Sequence, residues 1–366
     1  MTIVGAVIET GGAPFRLESL ELGPIQADEA RVRIAACGIC HTDLLIRGGS
    51  YPTPMPVVLG HEGAGVVEEV GADVTRVAPG DRVALSYASC GACRTCATGR
   101  PYYCAEFRAR NFGASRPDGT TALSRNGEPI HSHFFGQSSF ATQAAVPERS
   151  LVRLPDDVPF EIAAPLGCGV QTGAGGVLNV LRPQPGAAIA VFGVGGVGLS
   201  AVMAASLTGC GTIVAVDVKP TRLELARELG ATHAIDSSET DPVEAIVELT
   251  GGGVDGSLET SGAPSALRQA LGCLAPDATC GLIGAAERGT EVALEVGTIL
   301  SGGRTLRGIS EGHSVPQVFI PVLLDLWRAG KLPLERLVGG YDFDAINEAA
   351  AASEAGTVVK PVLRMD

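Results

Sequence analysis

The apolar run Ala188-Ile189-Ala190-Val191-Phe192 passes directly into Gly193-Val194-Gly195-Gly196-Val197-Gly198, then into a helical stretch and a second apolar run ending at Asp217. Strand, glycine turn, helix and strand in that order make one β-α-β unit, and such a unit commits this part of the chain to a parallel sheet. The turn fits G-x-G-x-x-G. On its own that match is weak, since glycines also make plain turns. In this context glycine lets the turn tighten, brings backbone close to a pyrophosphate and seats the helix on the strand. Asp217 stands nineteen residues after Gly198, at the end of the next strand. A carboxylate there accepts from ribose hydroxyls and repels a 2'-phosphate, which favours NAD over NADP. Lys219 and Arg222 lie close enough to temper that preference. The candidate cofactor residues are therefore Gly193, Gly195, Gly196, Val197, Gly198, Asp217 and Arg222.

Beyond Asp217 the alternation continues, with strand or helix candidates at Ala231 to Ile235, Asp241 to Leu249, Gly256 to Glu259, Pro264 to Leu274 and Thr279 to Ile283. This rhythm predicts an α/β unit, a doubly wound parallel sheet with helices on both faces. Upstream, from Ala30 to Val83, short alternating runs such as Arg31-Val32-Arg33-Ile34 are broken by Gly and Pro and read as an antiparallel sheet or small barrel. Tyr87 to Gln137 is rich in turns and needs an internal anchor. A helix near Val315 to Ala329 and an apolar segment Thr357 to Leu363 close the chain. At 366 residues, two domains are expected.

A balance of 27 basic against 40 acidic residues gives a net charge of -13, the wrong sign for attraction to nucleic acid or anionic membrane. The first ten residues lack a basic start followed by an apolar stretch, and no long apolar run follows. A cytoplasmic protein is expected. With 10 cysteines in such a chain, clustered thiols point to metal or chemistry rather than to a disulfide framework.

Cys90, Cys93, Cys96 and Cys104 are spaced C-x2-C-x2-C-x7-C. Four close thiolates suit a closed tetrahedral zinc site that holds together a loop too polar to pack itself. Disulfides, free thiols or an iron-sulfur cluster are the other uses of such a set. A second group is dispersed: Cys37-Gly38-Ile39-Cys40-His41-Thr42-Asp43, Gly60-His61-Glu62, and Leu166-Gly167-Cys168-Gly169. Separately, Cys37 with Cys40 reads as a redox pair, His61 as a core histidine and Cys168 as a small buried residue.

Together these segments resemble the zinc-containing alcohol dehydrogenases of the medium-chain dehydrogenase/reductase superfamily. The likeness runs over the whole chain and includes C-G-I-C-H-T-D, G-H-E-G-A-G, V-x-P-G-D-R-V from Val77 to Val83, the four-cysteine loop, G-C-G-x-Q-T-G and the glycine turn. It implies a Rossmann sheet inserted into a GroES-like β-barrel catalytic domain: residues 1–170 and 308–366 form the catalytic part and 171–307 the NAD-binding part. It implies two zinc ions, one structural in the cysteine loop and one catalytic on Cys40, His61 and Cys168. Thr42 matches the hydroxyl that takes the alcohol proton. Asp43 and Glu62 match supporting acids, Asp43 orienting His61, and His41 matches a basic position at the cofactor pyrophosphate. Leu45 departs from the family, since many members carry there a histidine that hands the proton to water; His41 or a ribose hydroxyl with ordered water is the replacement route.

The stretch from Asn111 to Phe140 resembles the benzyl-alcohol and aryl-alcohol branch, with Phe134 where the family places a pocket-wall aromatic; the same phenylalanines would also serve to pack the core. Reversible oxidation of an aryl or allylic primary alcohol to its aldehyde is the expected reaction, in a homodimer or homotetramer. Glutathione-dependent formaldehyde oxidation and general aliphatic alcohol oxidation are the rivals. A non-enzymatic NAD-sensing protein and a zinc-free quinone reductase are expectations that the intact ligand set and Thr42 oppose.

Overall fold

Strands that are apolar along their whole length need cover on both faces, and the chain after Ala188 supplies it. The computed structural model describes residues 1–365. In it His233–Asp236, Thr212–Asp217, Ala188–Phe192, Val254–Glu259, Leu274–Leu282 and Thr305–Gly308 lie side by side in that order, each neighbouring pair parallel. The first strand in sequence lies in the middle, which is the doubly wound order. The central strands Ala188–Phe192 and Thr212–Asp217 are buried almost throughout, whereas the edge strand Thr305–Gly308 is exposed. One boundary differs from the sequence reading, which gives Leu274 to the preceding helix. That helix ends at Gly272, and Leu274 already pairs with Val254; the register then slips before Gly256 meets Thr279, so the strand is longer and irregular. Asp277, inside the slip, has φ +62.

The sheet belongs to one of two compact units, Gly169–Ser314 with Asp325–Pro333. The other comprises Met1–Cys168, Val315–Leu324 and the chain from Leu334 onward. The first of these units keeps the chain past 308 because the turn Glu311–His313 packs on the helix Gly169–Gly175. There Ser314 Oγ donates to Gln171 Oε1 at 2.8 Å, and Asn179 Nδ2 donates to Gly312 O at 3.0 Å.

The other unit is built of sheets that are antiparallel except where Val338–Asp342 runs parallel to Lys360–Arg364. One orders Val57–Val58, Thr2–Ile8, Arg16–Leu22, Leu123–Arg125 and Glu128–Ile130; the second orders Leu151–Arg153, Arg82–Leu85, Glu62–Val70, Glu29–Gly38, Lys360–Arg364 and Val338–Asp342, with Gln143–Pro147 also on Glu29–Gly38. Their core includes Ile8, Leu20, Ile34, Leu85, Phe134 and Phe140. Register matters here, because Gly38 pairs with Glu62 on one side and with Val362 on the other. That pairing sets Cys40, His61 and Lys360 at one end of the sheet. No described helix is long and apolar enough to cross a membrane.

Gly198 is demanded by close approach: a Cβ there would overlap Gly193 O across the glycine turn. Gly198→Ala should therefore force the helix off the strand and destabilise this unit by about 1–3 kcal/mol, the usual cost of overpacking. Urea unfolding followed by circular dichroism would read this as an earlier transition, and an unmoved one would contradict it.

Candidate active site

Two groups of metal-type ligands come together, each with its ligand atoms within 4.8 Å of one another: Cys40 with His61 and Cys168, and Cys90 with Cys93, Cys96 and Cys104. In the first group, Cys40 ends the loop after strand Glu29–Gly38 and caps the helix His41–Arg47. Its N–H donates to Asp43 Oδ2 at 3.0 Å. The other oxygen of Asp43 accepts from Gly60 N at 3.1 Å and sits 2.9 Å from His61 Nδ1. One fully buried carboxylate thus ties two ligand segments together. The loop that presents His61 turns at Gly60, φ +90, where a side chain would overlap the Phe140 backbone. Cys168 follows the turn Ala164–Gly167, whose last carbonyl accepts from Ser86 Oγ at 2.7 Å.

The donor set fits a cation. With Nδ1 held by Asp43, Nε2 is the nitrogen left for the thiols, and it is buried without a hydrogen-bond partner. A buried polar atom in that state is costly unless an ion or water completes it. The Cys40 thiol is held well below its usual range, first by hydrogen bonding from Cys168, with burial opposing and Lys360 and His61 assisting. Burial works against a charge on His61, yet the Asp43 carboxylate and the Cys40 thiolate outweigh it and raise its pKa well above the ordinary value. Cys37 differs: burial, with Asp43 adding to it, pushes its thiol up, and its Sγ meets only Gly38 O at 3.6 Å. It is poorly suited to be a ligand.

Thr42, half-buried, has its Oγ1 4.0 Å from Cys40 Sγ, while His41 is exposed at the helix start. Glu62 Oε1 pairs with Lys360 Nζ at 2.8 Å, and Lys360 also donates to Ile39 O at 3.2 Å. Burial raises the Glu62 carboxyl despite this partner. Lys360 escaped the sequence reading. Its signal is a single charge inside the apolar run Val358 to Leu363.

In the cysteine loop the nearest sulfur pairs are 3.9 Å (Cys90 to Cys96) and 4.0 Å (Cys93 to Cys104) apart. That is far beyond an S–S bond. Backbone N–H groups of Cys90, Cys93 and Ala105 donate to Cys104, Cys90 and Cys93 Sγ at 3.3, 3.3 and 3.4 Å. Thr95 helps lower the Cys93 thiol to about 5, whereas burial pushes Cys96 up to about 12. Inward sulfurs supported by amide donors suit a closed metal site.

In the parallel-sheet unit, Asp217 Oδ2 accepts from Val194 N in the glycine turn at 2.8 Å, and Oδ1 accepts from Val218 N and Lys219 N at 2.8 and 3.0 Å. The carboxylate is anchored with acceptor capacity to spare. Arg222 Nη1 lies 3.8 Å from Asp217 Oδ2, so the cation anticipated from sequence does flank this acid.

Phe134 has no exposed surface and meets His61 edge-on at 5.3 Å; Phe135 stacks on the same imidazole at 4.5 Å. Gln137 Nε2 donates to His61 O at 3.0 Å. The loop carrying them is anchored by another cluster that the sequence did not reveal. Arg116 donates to both oxygens of buried Glu29 at 2.9 and 2.7 Å, and His133 Nε2 lies 3.0 Å from Glu29 Oε1. These partners are about a hundred residues apart in sequence, and nothing local marks them.

Residues 26–156 match the family model of the alcohol dehydrogenase GroES-like domain, and residues 196–327 match that of the zinc-binding dehydrogenases. The chain is 47% identical to a geraniol dehydrogenase of Castellaniella defragrans over 360 residues, 98% of this chain and 96% of the relative. A solved alcohol dehydrogenase zinc-binding domain protein from Burkholderia ambifaria superimposes with a TM-score of 0.98 at 50% identity, covering 100% of this chain and 99% of the other. The crystal structure of benzyl alcohol dehydrogenase from Acinetobacter calcoaceticus gives a TM-score of 0.97 at 45% identity, with 100% of each chain covered.

Burial opposes the Glu29 charge, but hydrogen bonds from His133 and Arg116 win and hold its carboxyl at about 2, below the ordinary 4.5. The stabilisation is therefore complete above pH 4.5 and is lost as pH falls from there toward 2. Glu29→Gln should lower the melting temperature at neutral pH and flatten its acid decline in that window. A decline as steep as that of the parent protein would contradict this.

Proposed function

The chain belongs to the zinc-containing alcohol dehydrogenases of the medium-chain dehydrogenase/reductase superfamily, and on that footing we propose that it reversibly oxidises an allylic or aryl primary alcohol to its aldehyde with NAD. The observation that carries this reading is the convergence of Cys40, His61 and Cys168 around one buried, unpartnered imidazole nitrogen. Three protein donors are one short of a tetrahedral set, the hallmark of a catalytic rather than a structural zinc site. Cys90, Cys93, Cys96 and Cys104 would hold a second, structural zinc.

When bound, the catalytic ion would make an alcohol hydroxyl acidic near neutral pH and NAD would take up the carbinol hydride. The remaining work falls to side chains. Asp43 fixes the tautomer and plane of His61 by holding Nδ1. Thr42 Oγ1 would accept the alcohol proton and donate its own onward. Leu45 cannot continue that relay, so the exposed His41 or a ribose hydroxyl would. Lys360 neutralises Glu62 at the buried sheet end. Asp217 would accept from the adenosine ribose through its spare lone pairs and repel a 2'-phosphate.

The substrate class draws support from two named relatives, one acting on geraniol and the other on benzyl alcohol. In both alcohols the carbinol carbon adjoins an unsaturated carbon, and the half-buried rings of Phe107 and Phe112, packed on the buried Phe135 that covers His61, suit such substrates. A homodimer or homotetramer is proposed from the same family membership.

Steady-state kcat/KM over benzyl, cinnamyl, geranyl and short aliphatic alcohols tests the reading. Benzylic and allylic substrates should exceed ethanol by at least about tenfold with NAD, which one or two well-placed apolar contacts would supply, and Asp217→Ser should shift preference toward NADP. Highest efficiency on ethanol or on S-hydroxymethylglutathione would overturn the substrate class. Unchanged NAD/NADP discrimination would remove Asp217 from its role.

A further inference from the structure

The turn from His133 to Ser138 is conformationally expensive: His133, Phe135, Gly136 and Ser138 all have positive φ, at 66, 52, 68 and 56°. Three of these are not glycine, and a bulky residue in this region costs on the order of 1 kcal/mol or more. Such strain persists where the surroundings over-determine it, and here they do. Arg116 and Glu29 grip one end through His133. Ser138 Oγ donates to Val58 O at 2.6 Å, while Ser139 N and Phe140 N donate to Gly60 O and Leu59 O at 2.9 Å each. The turn therefore wraps the short segment that presents His61.

The left-handed conformation at position 135 places a benzene ring on the face of that imidazole. The centroids are 4.5 Å apart with 27° between planes, and the ring is itself braced by Phe134 at 4.9 Å and Phe112 at 5.1 Å. Phe134 closes the edge of His61 at 5.3 Å and 89°. The imidazole is thereby held on three sides: Asp43 at Nδ1, Phe134 at an edge and Phe135 on a face. The remaining nitrogen points to the cysteines. Neither an aliphatic side chain nor a right-handed backbone at 135 would supply that face.

We propose that Phe135 is a positioning residue for the metal ligand His61, its ring fixing the imidazole plane so that Nε2 stays aimed at the ion. The inference rests on the metal site assigned above. A π face against an imidazole that carries positive charge on coordination adds to the hold on the ion. The consequence is slower release of that ion and a narrower spread of ligand geometries, independent of which alcohol is bound.

The test uses the full-length protein with cobalt(II) at the site of Cys40, His61 and Cys168, whose visible absorption reports ligand geometry. Phe135→Leu should shift those bands and speed release of this ion to a chelator by about 3- to 10-fold, the range expected for one aromatic pair. Release from the four-cysteine site should stay unchanged. Phe135→Tyr, which keeps the ring face, should restore the parent spectrum and rate. If Phe135→Leu fails to fold, Phe135→Met, whose flexible chain fills the same volume, is read in its place. Parent-like spectrum and release in the ringless variant would overturn the inference while leaving the metal site standing. An unsubstituted protein that binds no cobalt among Cys40, His61 and Cys168 would overturn both.

Discussion

A single buried carboxylate, Asp43, accepts from Cys40 N, accepts from Gly60 N and holds His61 Nδ1. Those three partners come from a helix start, a left-handed glycine turn and the edge of a strand, and no other described group binds all of them. A charge with no exposed surface is tolerated only when its lone pairs are spent in this way. Without it the Cys40 amide would be orphaned at the helix start, the Gly60 turn would lose its donor's partner and the imidazole could rotate. The ligand geometry, and with it the reaction proposed for the family, depends on that hub.

The surrounding layers extend the same logic. Sheet register sets Glu62 opposite Gly38 and Val362 on the other side, so Lys360 arrives where Glu62 needs a counter-charge. The aromatic turn covers His61 and is pinned through His133 to Glu29, far from the ligands. In the parallel-sheet unit Asp217 is held by the glycine turn it partners, so the cofactor contact proposed for it and the geometry of the turn are one construction. His61 is oriented by Asp43 and the aromatic turn, and Glu62 by Lys360, none of which is among the metal-type ligands.

Sequence reading reached the α/β class, the parallel sheet, the glycine turn with Asp217 and both cysteine-rich groups, because those features are local in sequence or carry a spacing. The dispersed triplet Cys40, His61 and Cys168 was legible only through family resemblance; residue types alone left a redox pair, a core histidine and a buried thiol open. Lys360, Gln137 and the Glu29–Arg116–His133 cluster were missed, since their partners are brought near by tertiary packing across long separations. Phe134 was singled out, but Phe135 presents its face to the imidazole. Which of two adjacent phenylalanines does so depends on a left-handed φ that no pattern of residue types encodes. Leu274 went to the wrong element because the strand it opens is irregular.

The central claim is that Cys40, His61 and Cys168 together bind a zinc ion in the working protein. Anomalous scattering from catalytically active crystals, recorded on either side of the zinc absorption edge, addresses it directly. The account predicts two peaks per chain, one among the four cysteines of the loop and one bounded by Cys40 Sγ, His61 Nε2 and Cys168 Sγ. A single peak, confined to the cysteine loop of a fully active protein, would contradict it.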